Sequence, residues 1–410
     1  MTQNGTFRRV GPLGAAALLA AAAPAAAQEP VNIGALMSMT GDLQAYGETS
    51  LNGIRLAVDQ VNEAGGVLDG RQVEVAVGDD QTAPQPGIDA AQKLVNVEGV
   101  AGIIGALSSG ITIPVAQSVT SQAGVPQISN ASTSPVITNL EDDGYLFRTV
   151  PSDAFQGLAL SEVTRDAGYE SLAVMYVNND YGEGLADSFQ QAFEQAGGTV
   201  TGSVPFEQGK ASYRGELQQL AGGDADGLVL IAYPENGITI LRQALEEGFF
   251  DKFVFTDGMK APEIIDAIGA DYLNGSIGTV PQAATDTDAY QRFQEAYNER
   301  FGEIPPKPFI DTAYDAAMLL MLAIEKAGGT DGQAVRDALT EVANPPGTEI
   351  LPGEWEEAKK ALEAGEDIDY VGASGSVDFD EQGDVPGTFA HWTIEDGQIK
   401  TVKVFEPKTM

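Results

Sequence analysis

Two short stretches, "GALSSG" (105–110) and "QISNASTSP" (127–135), concentrate small hydroxyl and amide side chains directly after apolar runs. Ser109 and Thr133 can donate through their hydroxyls, and backbone N–H groups at a following helix start favour an anion such as a carboxylate. The carbonyl of Ala131 is free to accept from an ammonium group. Grip on a small polar ligand is the chemistry these residue types support. Serines and threonines also serve as helix N-caps and turn formers, and either stretch alone reads that way. Their joint placement after successive strand-like runs favours binding.

Other chemistries lack their parts. The chain has no cysteine and a single histidine, His391, so thiolate chemistry and sites built from several imidazoles are excluded. No G-x-S-x-G elbow, no G-x-x-x-x-G-K-[ST] loop and no strand-borne G-x-G-x-x-G occurs. Carboxylates are plentiful, but no pair stands out as acid and base, so no enzyme activity, cofactor or metal is expected. The formal charge of -38 repels nucleic acid and anionic lipid surfaces.

The elements that must carry these stretches are legible as alternation. "VNIGALMSM" precedes Leu51, Ile54, Val58 and Val61 at helical spacing, and "NEAGG" closes that helix. The runs "VEVAVGDD", "AGIIGAL" and "VPQIS" follow, each with a helical segment between. The series restarts with "SLAVMYVN", "GTVTGSVPF", "GLVLIAY" and "KFVFTDG". Two such series predict an α/β chain of two lobes, each with a mainly parallel sheet. Ligands of such sheets sit beyond the strands' carboxyl ends, where both hydroxyl-rich stretches fall. Helices are expected over 286–342, a loop-rich surface excursion over 345–372, and short antiparallel strands over 375–405. At the N-terminus, Arg8 and Arg9 precede an alanine-rich apolar stretch ending in Ala25-Ala26-Ala27, which reads as a signal peptide over residues 1–27.

The ordered series "GALMSMTGDLQAYGETSLNGIRLAVDQVNEAGGV", "GIIGALSSG", "ISNASTSPVIT", "LFRTVPSD", "NDYGEGLADSF", "ILRQALEEG" and "FDEQGD" resembles the type I periplasmic solute-binding proteins of the leucine/isoleucine/valine-binding family. The resemblance implies two Rossmann-like lobes joined by three crossover segments, near 148–153, 278–283 and 374–388. It divides the chain into residues 28–150 with 283–374 as the first lobe, and 151–282 with 375–410 as the second. The family's ligand site falls on Tyr46, Ser109, Ala131, Ser132 and Thr133 of the first lobe and on Tyr181, Tyr233 and Asp257 of the second. Ser109, Ala131 and Thr133 are implied to hold a carboxylate, with Thr133 also touching the ammonium that Asp257 binds.

Departures from the family are visible as well. Asp257 stands where the family example has glutamate, Ser108 where it has a disulfide cysteine, and the 345–372 segment is longer. Lys260 could read a second carboxylate, but surface exposure is the expectation for it. The implied activity is the solute-binding component of an ABC importer in the periplasm: a soluble monomer that binds an amino acid or related carboxylate and docks on an inner-membrane permease. A ligand-sensing module for a receptor, or a binder of amides, urea or aromatic acids, is the alternative.

Overall fold

The computed structural model describes residues 1–6 and 29–408, so the expected signal peptide falls largely outside the described residues. Among the described residues no helix is long and apolar enough to cross a membrane.

Five strands open the chain: β1 (Val31–Met37), β2 (Val73–Asp79), β3 (Ile103–Gly105), β4 (Gln127–Ser129) and β5 (Leu146–Arg148). They pair in parallel in the order β2-β1-β3-β4-β5. Central strands buried on both faces read as continuous apolar runs, and β3 and β4 are buried along their whole length. The helix Gln44–Glu63 buries Leu51, Ile54, Val58 and Val61, the stripe that its spacing predicts.

The chain then crosses over 149–152 and lays down β6 (Ser171–Val177), β7 (Thr199–Phe206), β8 (Gly227–Ile231), β9 (Phe253–Phe255) and β10 (Ile277–Pro281). It returns over 282–287 to the helices Asp288–Phe301, Ile310–Ala327 and Gly332–Ala343, which pack against the first lobe. A small sheet of β11 (Thr348–Ile350), β12 (Ile368–Gly372) and β13 (Gly375–Ser376) follows. The last crossing delivers β14 (Phe389–Glu395) and β15 (Gln398–Phe405) to the second sheet, whose order is β15-β14-β10-β9-β8-β6-β7. In that sheet β14 pairs antiparallel with both β10 and β15.

Two expectations need correction. The 345–372 excursion is not a mere surface loop, because Ile350, Trp355, Ile368 and Tyr370 are buried and the Trp355 indole N–H donates to the carbonyl of Gly66. The alternation over 375–385 predicts strands that the structure does not form there beyond Ser376. Instead β13 pairs with β12, residues 377–388 carry no strand, and Asp384 is tied to β5.

That tie is a buried ion pair between a fully buried Arg148 and a nearly buried Asp384. Arg148 Nε donates to Asp384 Oδ1 at 2.6 Å and Nη2 to Oδ2 at 2.7 Å, the forked geometry that suits a carboxylate. The remaining guanidinium donors reach the Ser134 carbonyl at 3.0 Å and Thr138 Oγ1 at 2.9 Å. One side chain thus fixes the end of the hydroxyl-rich stretch to the loop that leads into the third crossing.

Two buried acids outside the cleft set a pH dependence. Burial raises Asp80 from 3.8 to about 6 against the pull of its Ser38 bond. Burial likewise raises Asp315 from 3.8 to about 6 against bonds from Ser374, Tyr370 and the Ala373 N–H. With the folded value above the unfolded one, the folded chain keeps protons that the unfolded chain releases. Their contribution is present below the ordinary carboxylate range and is lost as pH rises through about 6. Opposite shifts belong to groups where screening weakens them: His391, lowered by burial and then by the Lys403 charge, is half-buried, and Glu216 and Asp226 are half-buried or exposed. The melting temperature is expected to be higher at pH 5 than at pH 7.5, and a calorimetric scan with the reverse order would refute this account.

Candidate functional site

Both lobes turn the carboxyl ends of their parallel strands toward each other across one cleft, which holds a small, tightly closed cavity. Of the expected site residues, Tyr46, Ser109 and Ala131 line it from the first lobe, and Tyr181, Tyr233 and Asp257 from the second. Thr133 and Ser132 do not.

The first-lobe wall is rich in donors. Ser109 Oγ accepts from the Ser134 N–H at 3.2 Å, which leaves its own hydrogen free. Ser109 begins a helical run over 109–123, and the N–H groups of Ile111 and Thr112 turn back to the Ser108 carbonyl. Those of Ser109 and Gly110 have no partner among the described residues, as at any helix start. The Ala131 carbonyl likewise accepts no bond there. The Ser132 hydroxyl is engaged within its own lobe, bonding Thr112 Oγ1 at 2.7 Å and donating to the carbonyl of Ala106 at 3.2 Å. Thr133 Oγ1 is buried without a partner, and its carbonyl accepts from the Asp153 N–H at 2.7 Å.

Opposite lies an acceptor cluster. Asp257 Oδ1 accepts from the Tyr181 hydroxyl at 2.9 Å and from Gln156 Nε2 at 2.8 Å, and Oδ2 has no bond among the described residues. Burial pushes the Asp257 carboxyl up to about 6, with the Tyr181 and Gln156 bonds pulling it down. Asp153 sits three residues before Gln156 on the same helix face, with both carboxylate oxygens buried and unpartnered. Burial first, and then the Asp257 charge, hold Asp153 well above the usual carboxylate range. Neither Asp153 nor Gln156 was foreseen as a site residue. The available signal was an acid at the first helical position after a crossing, followed three residues later by a glutamine.

Between these ends the wall is apolar, formed by Leu43, Leu107, Phe309 and the tyrosine rings. Tyr181 and Tyr233 stack at 5.7 Å between ring centroids, and Tyr46 meets Phe309 edge-on at 6.2 Å. The Tyr46 hydroxyl donates to the Gly258 carbonyl at 3.0 Å, so it joins the lobes and leaves only its ring for the cavity. Phe309 has φ +70°, the left-handed region that a bulky side chain avoids. Its carbonyl accepts from Ser50 Oγ at 3.3 Å and Asn130 Nδ2 at 3.2 Å, which hold that conformation. Strained backbone of this kind collects at ligand sites. Asn130 belongs to the hydroxyl-rich stretch, so one segment both faces the cavity and holds its floor.

Lys260 is buried, contrary to the exposure expected of it. Burial lowers its ammonium to about 8, offset in part by Asp311 across the cleft. At the cleft's edges the lobes meet without slack. A Cβ at Gly110 would lie 3.1 Å from Asn179 Cβ, and one at Gly184 would lie 2.7 Å from Pro135 Cδ. Among the described residues no group of acidic or imidazole side chains could hold a metal ion.

Comparison with known proteins agrees with this architecture. The family model described as "Periplasmic binding protein" matches residues 30–358. The leucine-, isoleucine-, valine-, threonine-, and alanine-binding protein of Pseudomonas aeruginosa is 30% identical over 341 residues, which is 82% of this chain and 89% of that one. The crystal structure of a leucine-binding protein, LivK, from Thermotoga maritima superposes with a TM-score of 0.78 at 26% identity, covering 92% of this chain and 99% of its own. The branched-chain amino acid transporter substrate-binding protein LivJ of Streptococcus pneumoniae, solved with isoleucine, gives 0.77 at 24% identity, covering 92% of this chain and 100% of its own.

Proposed function

The chain belongs to the periplasmic binding protein family, and on that footing we propose that it is the solute-binding component of an ABC importer for aliphatic amino acids. The ligand's carboxylate sits on the Ser109 hydroxyl and the free N–H groups of Ser109 and Gly110. Its ammonium lies between the Ala131 carbonyl and Asp257, with Asp153 and Thr133 behind. Its side chain packs on Leu43, Leu107, Phe309 and the tyrosine rings, where burying each methylene contributes about 0.8 kcal/mol. No covalent step is involved: the ligand docks on one lobe, and closure completes its contacts. The closed form is what a membrane permease recognises, and a signal peptide delivers the protein to the periplasm.

A single observation carries this reading. Unpartnered donors on one lobe and the Asp257 carboxylate on the other, with buried Asp153 near it, face each other across one apolar-walled cavity. Only a small molecule with an anionic end, a cationic end and an aliphatic body satisfies all three walls at once. Isothermal titration with leucine, isoleucine, valine, threonine and alanine is expected to give one site per chain for at least one of them. Benzoate, which has no amine, is expected to give no heat. Binding of benzoate with silence from every amino acid would overturn the assignment.

A further inference from the structure

One carboxylate at the cleft's edge belongs to neither the cavity nor a fold contact within its own lobe. Asp42 follows β1 in the first lobe, and its Oδ2 accepts two bonds from the second lobe: Gln208 Nε2 at 2.8 Å and Asn236 Nδ2 at 3.0 Å. The two donors come from separate elements, the loop after β7 and the start of the helix Pro234–Glu247. Asn236 is aimed in advance. Its Oδ1 accepts from the Tyr233 N–H at 3.1 Å, which fixes the amide so that its NH₂ points outward. The helix start adds the positive end of a 14-residue helix dipole facing the same carboxylate.

The position gives these bonds their leverage. The first sheet meets the hinge at β5, and β1 lies near its opposite edge. In the second sheet the crossings leave from β10 and β14, while β7 is the far edge strand. Asp42 and Gln208 therefore join parts of the two lobes far from the hinge, with Asn236, on the helix after β8, beside them. Bonds at that radius exist only in the closed form, so their free energy goes wholly to the closed side of the equilibrium. Gln44 Nε2 donates to Glu235 Oε1 at 2.7 Å beside them, an exposed contact that contributes little.

We infer that Asp42 is a positioning residue for ligand capture: its carboxylate, docked on Gln208 and Asn236, is a clasp that sets how much of the protein is closed and how slowly ligand leaves. It touches no ligand and acts through closure alone. Loss of a clasp made only in the closed form lowers apparent affinity by the factor by which the closed population falls.

The test uses the full mature chain carrying a donor–acceptor dye pair, one dye on each lobe. For Asp42→Ala, the closed fraction of the ligand-free protein is expected to fall. The Kd for L-leucine is expected to rise about tenfold, nearly all of it in the dissociation rate. Asp42→Asn, which keeps one carbonyl acceptor, should recover part of both. Gln208→Ala, remote from the cavity, should reproduce part of the effect, and the Asp42→Ala/Gln208→Ala pair should be less than additive. An unchanged closed fraction in Asp42→Ala, or strict additivity in the pair, overturns the clasp. The leucine arm rests on the amino-acid reading and the dye arm does not. If leucine fails to bind the parent protein, that reading falls while the closed fraction still judges Asp42.

Discussion

Asp257→Ala is expected to weaken amino-acid binding by about tenfold to a hundredfold, the worth of a hydrogen bond to a charged group. The reason lies in what remains after the carboxylate is gone. Tyr181 and Gln156 lose the acceptor that aligns them at 2.9 and 2.8 Å. The ligand's ammonium is left in a buried site without an ionised partner on the cavity wall, since burial holds the Asp153 carboxyl well above the usual carboxylate range. Asp257→Asn separates charge from shape: it keeps an acceptor for Tyr181 and should lose nearly as much affinity, because the missing element is the negative charge. Titration calorimetry on both variants decides the matter. An Asn variant that binds like the parent would show that Asp257 only organises its neighbours.

Asp384→Ala is expected to cost about 3–5 kcal/mol of folding stability, the range for removing one partner of a buried ion pair. Arg148 is fully buried, and its alternative partners are carbonyls and a hydroxyl that cannot neutralise it. The double change Arg148→Met with Asp384→Leu should recover most of the loss, since replacing both charges by apolar groups removes the stranded guanidinium. Urea unfolding measures both, and a loss below about 1 kcal/mol in the single variant would show that water or movement rescues the arginine. The single variant should also weaken ligand binding, because Arg148 holds the Ser134 carbonyl and so the segment that presents Ala131.

Much of this was legible in the residues. Helix stripes such as Leu51, Ile54, Val58 and Val61, and strand runs such as "GLVLIAY", depend on local periodicity and are found where the spacing puts them. The cavity-facing Ser109, Ala131, Tyr181, Tyr233 and Asp257 lie at strand ends or helix starts, positions that α/β topology itself selects. Legibility stops where burial is decided by another lobe. Lys260 reads as a surface lysine until the first lobe covers it, and Ser132 reads like its neighbours until Thr112 takes its hydroxyl. Asp153 and Gln156 belong to a helix whose site-facing side is defined only once β9 brings Asp257 against it. Residues 377–388 look like strands because valine, phenylalanine and aspartate alternate there. Arg148 instead draws Asp384 inward and leaves the segment no neighbour to pair with.

The bare backbone at Gly110 and Gly184 also bears on cargo choice. With Asn179 and Pro135 close against them, no room is left at these edges for the lobes to close further, so closure is expected to stop at the same point for different guests. A small guest such as alanine and a large one such as leucine would then produce the same outer profile. On the proposed function, a membrane partner would then meet one shape whatever the guest, and discrimination among solutes would be completed inside the binding protein.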